Sequence, residues 1–375
     1  MRDQRLDRLA SVLVGYSAAV KPGELCRISG ETVGLPLIEA IYEQVLRVGG
    51  HCFVSMTSDA MDEAFYRLAQ KPQLEFVSPI SKFIVDTMDV SIGLWAEENT
   101  KSMTNVDPKK QATAAQARRG ISKRFLERAA EGKLKWVGTQ YPSQASAQDA
   151  EMSLHDYEDF VFRAGLLHLP DPVAAWKAIS EKQQRLVDYL NKTSEVRIIG
   201  KDTNLCLGVQ GRTWINCCGH ENFPDGEVFT GPIEDSVNGT IRYSFPAVHH
   251  GHECHDIVLT FKNGKVVDAR AAKGEDFLHA MLEQDAGAKT LGEIAIGTNF
   301  SITKYTKNTL FDEKIGGTCH AALGAAYPET GGVNESGLHW DMVCDLREPG
   351  RRIEVDGKTI LEAGRFINND WPNPV

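Results

Sequence analysis

From residue 6 to residue 140, helix-spaced and strand-spaced apolar segments follow one another in turn, and this alternation restricts the fold more than any other feature. Leu6, Leu9, Ala10, Leu13 and Val14 share one helical face, and Pro22-Gly23 ends that helix. Leu25–Ser29 follows as a short strand. Leu37, Ile38, Ile41, Val45 and Leu46 form the next helical face, which Gly49-Gly50 closes, and Cys52–Met56 reads as the next strand. A β-α-β order implies a parallel sheet with helices packed on it. Further strands are expected at Val90–Ala96 and Leu134–Thr139, around a polar helix from about Pro108 to Lys133. A long helix from about Pro172 to Lys192 then leads away.

Beyond residue 190 the texture changes. Val196–Gly200, Glu227–Thr230, Ile257–Lys262, Lys265–Ala271 and Leu338–Asp345 read as strands, with Asn263-Gly264 a hairpin turn. Two helices are expected among them, Glu275–Glu283 and about His320–Tyr327. The chain of 375 residues suits two domains. We expect an α/β N-terminal domain with a mostly parallel sheet over 1–190, and a sheet-rich α+β C-terminal metal-binding domain over 191–375.

Several function classes are disfavoured. No apolar run approaches the roughly 18 residues of a membrane span. The N-terminus mixes Arg2, Asp3, Arg5, Asp7 and Arg8 with leucines and lacks a signal peptide's apolar centre, which points to the cytoplasm. A net charge of −10 argues against nucleic acid, whose phosphates need a basic footprint. The eight cysteines include no Cys-x-x-Cys pair and read as reduced thiols. Gly30-Glu-Thr-Val-Gly34 lacks the Lys-Ser/Thr of a phosphate loop, and no serine sits in a Gly-x-Ser-x-Gly elbow.

The densest chemical signal is Gly337-Leu-His339-Trp-Asp341-Met-Val. Residues two apart in a strand share a face, so His339 and Asp341 project together while Trp340 and Met342 point the other way. That is half of a metal site or, equally, a buried His–Asp hydrogen bond. In Thr318-Cys-His320-Ala-Ala-Leu-Gly-Ala-Ala-Tyr327, a helix would bring Tyr327 back over His320 after seven steps of about 100°, with Cys319 off that face. Glu227 opens a strand, and Glu293 begins the apolar run Leu291-Gly-Glu-Ile-Ala-Ile-Gly297. Burying such a glutamate costs several kcal/mol, of order 3–5, unless a cation or donor compensates it; exposure at a strand end is the simpler alternative.

Together these segments resemble the aminopeptidase T/aminopeptidase S metallopeptidases. The resemblance rests on Asn222-Phe-Pro-Asp-Gly-Glu-Val-Phe-Thr-Gly-Pro232, Glu234-Asp-Ser-Val-Asn-Gly-Thr240, Leu310-Phe-Asp-Glu-Lys-Ile-Gly-Gly-Thr-Cys-His320 and Leu338-His-Trp-Asp-Met-Val343. It extends into the first half through Trp136-Val-Gly-Thr-Gln-Tyr-Pro142 and Met152-Ser-Leu-His-Asp-Tyr-Glu-Asp-Phe160. It implies an aminopeptidase that removes N-terminal residues from short peptides, a homodimer enclosing its active sites, and two divalent cations per chain. Carried over by position, Glu227, Glu293, Glu313, His320, His339 and Asp341 would be metal ligands and Tyr327 the active-site phenol. Glu293 is the expected carboxylate between the two ions. Imidazole and carboxylate ligands suit Zn²⁺, Co²⁺ or Mn²⁺.

Two departures stand out. Six residues separate Glu313 from His320, two more than the family pattern. The segment His249-His-Gly-His-Glu-Cys-His255 is histidine-rich where ordinary residues are expected. Read as one extended strand, it would put His250 and His252 on one face, with His249 and His255 about 20 Å apart on the other, too sparse for a closed metal site. The rival to peptide hydrolysis is a mononuclear-iron, ring-cleaving dioxygenase of the dihydroxypyridine type, which needs two histidines and one carboxylate. The additional Glu227 and Glu293 favour two metals and hydrolysis.

Overall fold

The computed structural model describes residues 2–249 and 251–374. Two compact units divide the chain, one of residues 1–173 with 219–224 and one of residues 174–218 with 225–375.

The first unit carries the parallel sheet that the β-α-β pattern implies. Its strands lie in the order His51–Thr57, Leu25–Glu31, Val90–Trp95, Lys135–Gln140 and Asn222–Phe223, and every neighbouring pair runs parallel. The helix Leu35–Arg47 buries Leu37, Ile38, Ile41 and Val45 as its spacing marks out, but Leu46, expected on the same face, is exposed near the helix end. Residues 59–87, which the periodicity left unassigned, form three further helices, Asp59–Leu68, Lys71–Leu74 and Pro79–Thr87.

The second unit is rich in antiparallel sheet. An eight-stranded sheet includes Val258–Lys262 and Lys265–Arg270, joined at Asn263 and Gly264, which have φ of 50° and 77°. Two successive positive φ values make the type I′ turn expected of Asn-Gly. A five-stranded sheet runs in the order His339–Asp345, Thr318–Gly324, Leu291–Gly297, Glu227–Thr230 and Ile215–Cys217. Cys319, Ala321, Leu323, Trp340, Met342 and Cys344 line one face of that sheet and belong to the unit's hydrophobic core.

The helix expected at about His320–Tyr327 is instead the strand Thr318–Gly324, paired on both edges. The alanines favour a helix locally, but two ladders outweigh a propensity of a few tenths of a kcal/mol per residue, about 0.5 for a typical residue. Gly324 ends the strand at φ 101°, where a Cβ would lie 2.1 Å from the Leu338 carbonyl oxygen.

The histidine-rich segment also differs from the expected single strand. Ala247–His249 and His252–Cys254 form a hairpin in which His249 pairs across from His252, and His250 lies outside the described residues. His249 stacks on Trp340 and His252 on Phe277, with centroids 5.3 Å and 4.4 Å apart, while His255 Nε2 lies 3.1 Å from Glu253 Oε2. Aromatic contacts set the His249 and His252 rings, and the Glu253 carboxylate sets that of His255.

Two glycines make opposite predictions. Gly120 is exposed inside the helix Pro108–Ala130, with nothing within 4 Å of an added Cβ, so Gly120→Ala should stabilise the first unit by about 0.5–1 kcal/mol. At Gly297 a Cβ would sit 2.2 Å from the Ile315 carbonyl oxygen, so Gly297→Ala should destabilise the second unit by about 2 kcal/mol or more. Urea titration read by peptide-resolved hydrogen exchange measures each unit separately. An unshifted midpoint for Gly297→Ala would contradict this packing.

Candidate metal centre

The free face of the five-stranded sheet gathers the charged residues. Asp341, Ala322 and Glu293 occupy one cross-strand row, while His339 and His320 lie two residues along from Asp341 and Ala322. Glu227 pairs with Gly297, four residues along from Glu293. The period of two therefore projects Glu227, Glu293, His320, His339 and Asp341 from the same side. Trp340 and Met342 point the other way into the core, as the spacing of His339 and Asp341 requires.

Glu293 Oε1 is 3.3 Å from His320 Nε2, and Glu293 Oε2 is 3.4 Å from His339 Nε2, so one carboxylate reaches both rings. Asp341 Oδ1 also faces both, at 3.5 Å from His339 and 3.9 Å from His320. The other nitrogen of each ring is anchored: His320 Nδ1 donates to the Glu313 carbonyl at 2.9 Å, and His339 Nδ1 to the Ala325 carbonyl at 3.0 Å. A carbonyl oxygen can only accept, so each ring carries a proton on Nδ1 and turns Nε2 toward the carboxylates. This is the usual support of a metal-binding histidine.

Despite the longer spacing, Glu313 arrives at the site. Glu313, His320 and Asp341 place one potential ligand atom each within 4.8 Å of the others, and Glu293, His339 and Asp341 form a second such group. Tyr327 reaches the site from the segment after the strand Thr318–Gly324 rather than by a helical turn. Its ring lies 5.2 Å from that of His339 and 5.3 Å from that of Phe229, and the residue is 40% exposed.

Sequence reasoning missed Lys314, Gln183 and Asp225. Lys314 is fully buried; its ammonium donates to Glu313 and lies 3.4 Å from Glu227 Oε1 and 4.0 Å from Asp225 Oδ1. Gln183 donates to the carbonyls of Glu227 and Cys217 and accepts from Thr298 Oγ1, fixing the backbone under Glu227. For Lys314 the signal was present: a lysine inside Leu310-Phe-Asp-Glu-Lys-Ile, next to an expected ligand. Cys217, Asp225 and Glu227 also converge, but the Lys314 ammonium already supplies a cation to two of them.

Burial and mutual charge shift these groups. Burial works against a charged imidazole, yet the Glu293 hydrogen bond and the charges of Glu227, Glu293 and Asp341 raise His320 to about 10. Against the same penalty, hydrogen bonds to Asp341 and Glu293 raise His339 to about 11. Burial lifts Glu227 to about 8 against the pull of Lys314. Burial also opposes the charged form of Asp341, but the hydrogen bond from His339 holds it at about 2. The site is a strong electrostatic sink for cations.

Its residues fit a metal. Among the described residues Glu227 Oε2 is buried without a hydrogen-bond partner, with His320 Nε2 facing it at 3.6 Å; such a state costs about 1–3 kcal/mol unless a cation takes up the lone pairs. Two Nε2 atoms and several carboxylates converge where hard or borderline divalent ions bind.

Comparisons with known proteins agree with this chemistry. The family profile of the thermophilic metalloproteases (M29) matches residues 2–366. Aminopeptidase 2 of Geobacillus stearothermophilus is 27% identical, over 97% of this chain and 98% of its own length. Wild-type AmpT from Thermus thermophilus shares the fold with a TM-score of 0.86 at 24% identity, covering 97% of this chain and 99% of that one. A 2,5-dihydroxypyridine dioxygenase from Pseudomonas putida KT2440 shares it more distantly, with a TM-score of 0.61 at 12% identity over 97% and 98% of the two chains. That distant likeness concerns the fold alone, and the dioxygenase reading is not favoured. The chain belongs to the thermophilic metalloprotease family M29, and it is a metal-dependent hydrolase acting on peptide bonds.

Proposed function

We propose that this protein is an aminopeptidase that removes N-terminal residues from short peptides with two divalent cations, Zn²⁺, Co²⁺ or Mn²⁺. One observation carries the reading. Glu227, Glu293, Glu313, Asp341 and Asp225 bring five carboxylates together around the single ammonium of Lys314. Once a metal has displaced the protons of the histidines and of Glu227, these groups would leave four negative charges, which two divalent cations would balance. A cytoplasmic homodimer, implied by the sequence resemblance, belongs to the same reading.

Glu293, His339 and Asp341 would hold one ion, and Glu313, His320 and Asp341 the other, with Glu227 completing the shell. Glu293 and Asp341 are the carboxylates that face both histidines, which suits groups shared between neighbouring ions. When bound, such ions supply Lewis acidity and lower the pKa of water. The anchored Nδ1 atoms keep both imidazoles oriented as ligands. Burial raises the pKa of Glu313 and of Glu227, and the Lys314 ammonium offsets part of that rise, which favours the ionised forms that bind cations. Burial and then the charges of Glu293 and Asp341 raise the phenol of Tyr327, so it keeps its proton and can donate to an oxyanion forming at the scissile carbonyl.

Chelation should abolish cleavage of a free-amine dipeptide, and Co²⁺ or Zn²⁺ should restore it. His320→Ala and Asp341→Asn should each lose bound metal together with rate. Full turnover in a metal-free sample would end the proposal. Tyr327→Phe should lower kcat by about 10²-fold with metal content unchanged. An unaltered kcat would reduce Tyr327 to a packing residue.

A further inference from the structure

The parallel sheet of the first unit has two unlike faces. Cys26, Ile28, Val90, Ile92 and Val137 are buried on one, where the helix Leu35–Arg47 packs. On the other, the strand Leu25–Glu31 presents Arg27, Ser29 and Glu31 to a cleft of about 520 Å³. A parallel strand covered on both sides reads as a run of Val, Ile and Leu. This strand does not.

The floor of the cleft is a row of small residues: by register, Ser55, Ser29, Gly93 and Gly138 lie side by side across four strands. A Cβ at Gly93 would meet nothing nearer than Ser29 Oγ at 3.8 Å, so the space above it is open. The Trp95 ring covers Gly138 and forms a wall; Trp136, edge-on to Phe125, closes the side near Arg27.

The ends carry opposite charge. Arg27 donates Nε to Ser55 Oγ at 3.4 Å, and among the described residues its guanidinium makes no ion pair, although burial lowers its pKa. A half-buried guanidinium without a carboxylate calls for an anion. At the other end Glu31 accepts from the Ala96 amide at 3.0 Å. Burial raises its pKa, and the nearby Glu97 and Asp59 add to the rise, so carboxylates cluster at this end. Four residues of strand set Arg27 and Glu31 about 13 Å apart. The strand order also reverses here: from Leu25–Glu31 the chain adds His51–Thr57 on one side and Val90–Trp95 on the other. Open parallel sheets bind ligands beside the carboxyl ends of strands at such a switch point.

We propose that this cleft is a second peptide site, which holds an extended zwitterion of two to three residues with its carboxylate on Arg27 and its ammonium toward Glu31. Three residues of extended chain span about 10 Å, and the two side chains reach across the remainder. An apolar side chain of the ligand rests against Trp95, and the Ser29 and Ser55 hydroxyls meet its backbone. The assignment uses none of the residues of the metal centre, so either can fail without the other.

The test is calorimetric titration of the metal-loaded enzyme with a tripeptide whose first amide is N-methylated, which resists cleavage and keeps both terminal charges. The wild type should bind two equivalents per chain. Arg27→Gln, which removes the charge, and Gly93→Leu, which fills the floor, should each bind one, with dipeptide hydrolysis within about twofold of wild type. The same tripeptide as its C-terminal amide should bind the wild type once. The same number of zwitterion equivalents in the wild type and in either variant overturns the proposal, whether or not the metal centre takes one of them.

Discussion

Carboxylates gathered out of water around one ammonium set the terms for the rest of the second unit. At an effective dielectric near 20, two like charges 4 Å apart repel by about 4 kcal/mol. Asp225, Glu227, Glu293, Glu313 and Asp341 hold together because cationic partners separate them: Lys314 on one side, and on the other the protonated histidines or a metal. The raised pKa of His320 and of His339 is the same fact seen from the imidazoles. A divalent ion displaces those protons and makes the same contacts with more charge, so metal binding and proton release are coupled.

The five-stranded sheet makes that density of charge possible. Strand alternation gives each strand one apolar side for the core and one side for ligands, so the hydrophobic packing of Trp340, Met342 and Ile294 also aims His339, Asp341 and Glu293. Between the ligand positions stand Ala322 and Ala295, whose small side chains leave room above the sheet. Gly297 and Gly324 let neighbouring backbone approach where a Cβ would strike a carbonyl oxygen.

Much of this was legible in the residues. The β-α-β periodicity of the first half, the Asn263-Gly264 hairpin and the shared face of His339 and Asp341 all follow from local spacing and turn chemistry, and the structure has each of them. What local rules misread lay where distant partners decide. Ala321 and Ala322 favour a helix in isolation, but the strand is held between two others. His249 and His252 looked like members of one strand, whereas a hairpin pairs them and aromatic rings position them. Lys314 shows in the sequence only as a lysine beside Glu313 in a largely apolar run; its pairing with Glu227 and Asp225, nearly ninety residues away in sequence, is visible only once folded.

If one sheet face binds two cations through shared carboxylates, as proposed, both ions lie within reach of the same two histidines. Anomalous scattering from crystals grown with Zn²⁺, recorded on both sides of the zinc edge, tests it most directly. Two peaks per chain are expected, one against Glu293, His339 and Asp341 and one against Glu313, His320 and Asp341, roughly 3.5–4 Å apart. A single peak at full zinc occupancy, or a peak beside Cys217 and Asp225 in place of Lys314, would contradict it.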